Sequence, residues 1–176
     1  MIFSETKLSG AYVIEIEKLK DDRGFFARTW DREKFEELGL DTKLSQCSVS
    51  FNKKAGTIRG MHYQIKPHQE VKLVRCTKGK IFDVIIDLRE NSKTFMKWFG
   101  VELSSQKHKM LHIPEGFAHG FQTLEDNTEV FYQISKDYMP EYARGKLYSD
   151  PIFNISWPIK SPIVSEKDQQ WLPESN

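Results

Sequence analysis

Short runs of aromatic and β-branched residues recur from one end of the chain to the other, each closed within a few residues by a turn signal. In "AYVIEIEKL", Tyr12, Ile14 and Ile16 alternate with Val13, Glu15 and Glu17, the period of two that marks a strand. "KIFDVIIDLR" puts Phe82, Val84, Ile86 and Leu88 on one face and Ile81, Asp83, Ile85 and Asp87 on the other. "KWFGVELS", "HKMLHIP" and "TEVFYQIS" repeat the pattern, and "LSGA", "DDRG", "KKAG", "TKGK" and "EDNT" interrupt it. The best helix is "DREKFEELGL", with Asp31 as its N-cap and Gly39 near its end, and "SEKDQQW" starts a short terminal one. Strands alternating with helices of about 10–15 residues would have meant a parallel sheet, and that alternation is missing. The expected fold is therefore all-β: an antiparallel sandwich or barrel, a jelly roll foremost, with short peripheral helices.

The 176 residues suit one domain, 1–176, large enough to bury a real core. Lys and Arg number 26 against 25 Asp and Glu, a formal charge of +1. That balance argues against a general nucleic-acid binder and leaves room for a local basic pocket. Cys47 and Cys76 are too few for a disulfide scaffold and read as free thiols in a reducing cytosol. "MIFSETKLSG" lacks a basic segment followed by an apolar one, and the apolar runs are far shorter than a spanning helix. A cytoplasmic protein with no membrane partner is expected.

Against this background "TIRGMHYQIKPHQEVKLVRC" is odd, because it places Arg59, His62 and Lys72 among strand-like residues. Lys72 shares a face with Val74 and Cys76; at a sheet edge it would reach water along its stem, but inside it calls for an anion. Strict alternation separates Arg59 from His62, unless Gly60 marks a bulge that turns both inward. Tyr132 lies on a face with Val130 and Ile134, and on its own reads as a core aromatic. Ser165 and Asp168 fit a capping box. A metal is disfavoured. Pro114-x-Gly116-x-x-His119 is like the second histidine motif of cupin barrels, but His62-Tyr63-Gln64 stands where a metal cupin has His-x-His, and a transition metal needs three or more protein ligands.

Seven motifs, in order, make the chain recognisable: "DDRGFF" (21–26), "RGMHYQ" (59–64), "KLVRCTKGKIFDVIIDLR" (72–89), "IPEGFAHGFQTL" (113–124), "YQISKDYMPE" (132–141), "SDPIFNISWP" (149–158) and "SEKD" (165–168). The chain resembles the dTDP-4-dehydrorhamnose 3,5-epimerase family. The resemblance implies a metal-free cupin-type jelly roll, normally a homodimer with exchanged strands. Its substrate would be a nucleotide-diphosphate 4-keto-6-deoxy sugar, inverted at carbons 3 and 5. It also implies that His62 is the base, held by Asp168, that Lys72 neutralises the enolate, and that Tyr132 returns a proton to the opposite face of the ring. Arg59 and His119 would hold the sugar nucleotide. Arg23 would pair with the diphosphate across the dimer, with Phe26 and Arg28 nearby, Tyr138 would contact the base, and Gln46 and Ser48 would add further contacts. The chain departs from the family pattern at Arg28, Ser48, Gln133, Ala143 and Tyr148-Ser149, mainly where the nucleotide and outer sugar groups should bind. Other readings are a single-carbon epimerase or keto-sugar isomerase on a CDP- or GDP-linked sugar, a sugar-nucleotide binding module without catalysis, and a metal-dependent cupin oxygenase.

Overall fold

The structure, a computed structural model, describes residues 1–173; the last three positions of the expected domain lie outside the described residues. In chain order the strands are β1 (Ile2–Glu5), β2 (Tyr12–Glu15), β3 (Leu19–Asp21), β4 (Gly24–Phe26), β5 (Gln46–Asn52), β6 (Thr57–Gln64), β7 (Lys72–Lys78), β8 (Lys80–Asp87), β9 (Trp98–Ser104), β10 (Met110–Ile113), β11 (Phe117–Thr123), β12 (Thr128–Ile134), β13 (Ala143–Gly145) and β14 (Ile163–Val164). Two short helices, α1 (Arg32–Glu37) and α2 (Glu166–Gln169), complete the set.

Eleven of these strands form two facing sheets, ordered β1-β2-β10-β7-β12-β5 and β13-β6-β11-β8-β9, with β14 added to β6; the β3–β4 hairpin stands apart. Every pairing is antiparallel except that of β14 with β6. This is the jelly roll the strand pattern called for. Between the sheets Val74, Cys76, Leu111 and Val130 meet Ile81, Ile85, Phe117 and Phe121. The outer faces are covered too. Val84 and Ile86 lie under the 148–164 segment, packed with Phe153 and Trp157. Ile14 and Met110 lie under α1, packed with Phe35. Burial on both faces explains why β8 reads as a nearly unbroken apolar run.

Both helices begin where their caps predict. Asp31 accepts a hydrogen bond from Lys34 N, and Gly39, just past α1, has φ +68°. Ser165 accepts one from Asp168 N. That is half of a capping box; the Asp168 carboxylate turns away from the helix end and is used elsewhere.

Candidate active site

The site begins with a fault in a ladder. On β11, His119 pairs with His62 and Phe121 with Arg59, so Gly60 and Met61 together face Gly120 alone. This extra residue is a β-bulge, and it puts Arg59 and His62 on the same inward face, as the glycine suggested. Gly60 has φ +144°, and a Cβ there would stand 2.5 Å from the Cα of Gly120. A Cβ on Gly120 would come within 2.8 Å of the Arg59 carbonyl oxygen. Only paired glycines let the strands approach this closely.

His62 meets the end of the chain. Its Nε2 lies 2.6 Å from Asp168 Oδ1, and Gly60 N is 3.5 Å from Oδ2. A carboxylate can only accept, so Nε2–H donates, which leaves Nδ1 of the neutral ring with its lone pair. Asp168 is 5% exposed. Burial pushes its carboxyl up, but the hydrogen bond and charge of His62, with Gly60 N and Ser165, outweigh this and hold it below the usual carboxylate range. The imidazole is 43% exposed and borders a cleft of about 230 Å³.

Lys72 lines the same cleft. Its register partners are Ile113 on β10 and Ile134 on β12. The ammonium lies 2.9 Å from Glu70 Oε1. Gln64 Nε2 donates to the other oxygen of Glu70, to His68 O and to Asp137 O, while Gln64 Oε1 accepts from Met139 N.

One pleat along from Ile134, Tyr132 faces into the barrel with its ring 6.0 Å from that of His119. His119 Nε2 donates to Asp83 Oδ1 at 2.7 Å; both residues are buried, and Asp83 Oδ2 has no partner among the described residues. Burial first, then the charge of Asp83, push the Tyr132 phenol above its ordinary value, with Arg59 opposing weakly. The phenol therefore keeps its proton at rest.

Other sequence candidates are spread more widely. Gln46 lines the cleft and Tyr138, 55% exposed, stands at its mouth. Arg59 donates to Asn52 Oδ1 at 2.7 Å. Ser48 is exposed, directly opposite Tyr132 on β5. Tyr132, His119, Arg59 and Ser48 are not among the residues that line the cleft. Arg23 pairs with Asp21, Arg28 pairs with Asp31, and Phe26 is exposed; these three do not border the cleft either.

Sequence reasoning missed Glu70, Gln64, Asp83 and Trp171. Glu70 precedes Lys72 by two residues, which on an extended chain puts both on one side, so a signal existed. Asp83 was legible as a carboxylate on an isoleucine face, but its partner His119 was not. Trp171 left no signal: its indole packs over Gly145, where a Cβ would lie 2.2 Å from the ring, and it borders the cleft beside His62. Among the described residues, no three His, Cys, Asp or Glu side chains converge as a metal site requires.

A barrel of this topology, with acid–base side chains on its inner faces, falls among the cupin-type isomerases. Residues 5–174 match the family model described as dTDP-4-dehydrorhamnose 3,5-epimerase, and the chain belongs to that family. It is 43% identical over 174 residues to the dTDP-4-dehydrorhamnose 3,5-epimerase of Methanothermobacter thermautotrophicus, covering 97% of this chain and 93% of that one. The crystal structure of the Bacillus anthracis enzyme with TDP and pyrophosphate bound superposes with a TM-score of 0.95 at 40% identity, over 98% and 99% of the two chains. The Legionella pneumophila enzyme, in complex with dTDP-4-keto-L-rhamnose, superposes with a TM-score of 0.88 at 36% identity, over 95% and 89%.

Proposed function

We propose that this protein inverts carbons 3 and 5 of a dTDP-linked 4-keto-6-deoxy sugar, each through an enolate, with no cofactor. The observation that carries this reading is the imidazole backed by a buried carboxylate on the same cleft as Lys72. A proton beside a ketone is too weakly acidic for water to remove at neutral pH, so the protein must supply a base and stabilise the charge that forms. His62 Nδ1 takes the proton. The C–H electron pair becomes the ring C=C bond, and the carbonyl pair moves onto the carbon 4 oxygen, beside the Lys72 ammonium. Tyr132, protonated at rest, gives its proton to the other face of the same carbon, the enolate collapses to the ketone, and the centre is inverted. Solvent then resets both residues. Arg59, His119, Gln46, Ser48 and Tyr138 hold the sugar nucleotide. Arg23, Phe26 and Arg28 lie away from their own cleft and act on that of a partner in a homodimer.

The test is incubation with dTDP-4-keto-6-deoxyglucose in deuterated water, followed by NMR. Deuterium and inversion at both carbons are expected. Label at one carbon would make the protein a mono-epimerase. Binding without exchange on dTDP-, CDP- and GDP-linked keto sugars would leave a binding module.

A further inference from the structure

A lysine on the inner face of a barrel has a long flexible stem and a charge that needs a partner. If its only partner were the forming enolate, the ammonium would be uncompensated between turnovers and free to swing toward water. In this structure Nζ of Lys72 is 2.9 Å from Glu70 Oε1, with the side chains only 11% and 9% exposed. Among the described residues Glu70 is the one carboxylate bordering the cleft, which also has Lys136, Arg144 and Lys167 on its wall. Of these cations it engages Lys72. Glu70 is fixed in turn, because Gln64 donates to its second oxygen and accepts from Met139 N at 2.7 Å.

We propose that Glu70 is a positioning residue, which acts through Lys72 by holding the ammonium in the barrel and aiming it at the carbon 4 oxygen. This rests on the epimerase reading above. The geometry suits the task. An ammonium has three N–H donors; Glu70 takes one and so fixes the directions of the other two. Gln64 holds the second oxygen, so the carboxylate keeps its direction while two N–H groups of Lys72 stay free for the carbon 4 oxygen. Both oxygens of Glu70 are engaged, which leaves His62 as the base.

The test is kinetic, on the full chain with the dTDP-linked keto sugar. Glu70→Ala is expected to lower kcat by roughly 10- to 100-fold with KM within about 3-fold, the pattern of an interaction made in the transition state. In a Lys72→Met background the same change should cost nothing further, because its effect passes through the missing ammonium. Glu70→Gln keeps an acceptor for Nζ and should fall between Glu70→Ala and wild type; it also serves where the alanine variant folds poorly. Unchanged kcat in Glu70→Ala would overturn the proposal, as would full additivity with Lys72→Met. Loss of proton exchange as complete as in His62→Ala would overturn it by making Glu70 a base. A wild type that is inactive on every 4-keto sugar overturns the reaction and this role together, whereas an active wild type with an indifferent Glu70→Ala overturns only the role.

Discussion

An imidazole becomes a directed base when one of its nitrogens is committed, and Asp168 commits Nε2 of His62. Tyr132 has the complementary condition, a phenol held protonated by burial and by Asp83. One residue accepts and the other donates, and the two halves of the reaction should separate by mutation. In His62→Ala, deuterium exchange into the keto sugar should fall by at least 10²–10⁴-fold, the usual worth of a general base, while dTDP still binds. In Tyr132→Phe, exchange should persist while inversion is lost. Solvent exchange and inversion measured on the same NMR sample decide this, and equal loss of both in Tyr132→Phe would contradict the two-face assignment. His62, Lys72, Tyr132 and Asp168 stood out in the sequence only through the family motifs that hold them; read singly, Tyr132 was a core aromatic and Asp168 a helix cap. Their partners were harder to read. Asp83 meets His119 only through the β8–β11 register, and Arg59 meets Asn52 across a turn; such pairings depend on how strands align, and local pattern does not encode that.

At the scale of elements, the two-residue period marked β2, β8, β9, β10 and β12, and the caps marked both helices. They did not show what covers the outer faces. That is where His112 lies. Leu111 and Ile113 point into the barrel, and His112 points out beneath α1, its ring 5.8 Å from Phe35 and 6.2 Å from Tyr12. It is 2% exposed, and among the described residues neither ring nitrogen has a hydrogen-bond partner. Burial lowers its pKa to about 4, with the Gly10 backbone and the Asp41 charge opposing weakly. The unfolded value is near 6.5. Above that pH both states are neutral and the contribution to stability is complete. As pH falls from about 6.5 toward 4 only the unfolded chain takes up the proton, and stability declines by roughly 1.4 kcal/mol per unit. Between pH 8 and pH 5 this amounts to about 2 kcal/mol. His112→Leu should remove that part of the acid sensitivity. Urea unfolding of wild type and variant at both pH values measures it, since other titrating groups cancel in the difference. Parallel losses in the two proteins would show that α1 does not rest on a neutral His112.

At the scale of the molecule, the chain leaves apolar surface exposed, and the arm that carries Arg23 lies away from its own cleft. Val49 and Phe51 are 58% and 47% exposed on β5, an edge strand of its sheet, and an open apolar edge invites pairing. The β3–β4 hairpin forms a sheet of its own and exposes Leu19 and Phe26; two strands alone are marginal in water. Its turn carries Arg23, whose side chain is 90% exposed and, among the described residues, bonded only to Asp21, a weak surface pair that costs little to exchange for a diphosphate. A homodimer that seats this hairpin against the partner would cover the apolar surface and bring Arg23 to the cleft of the other subunit. The sedimenting mass should be twice the 20.6 kDa of the chain, and Val49→Asp with Phe51→Asp should reduce it to one. Complementation tests the sharing of sites. Arg23→Ala protein has an intact cleft and a defective arm; Lys72→Met has the reverse. In a mixed dimer with arms acting across the interface, one cleft carries both defects and the other carries none. Random pairing then restores roughly a quarter of the wild-type sites from two nearly inactive proteins. Arms that serve their own cleft restore nothing at any mixing ratio, so the recovered rate distinguishes a shared site from two independent ones even if the protein is dimeric in both cases.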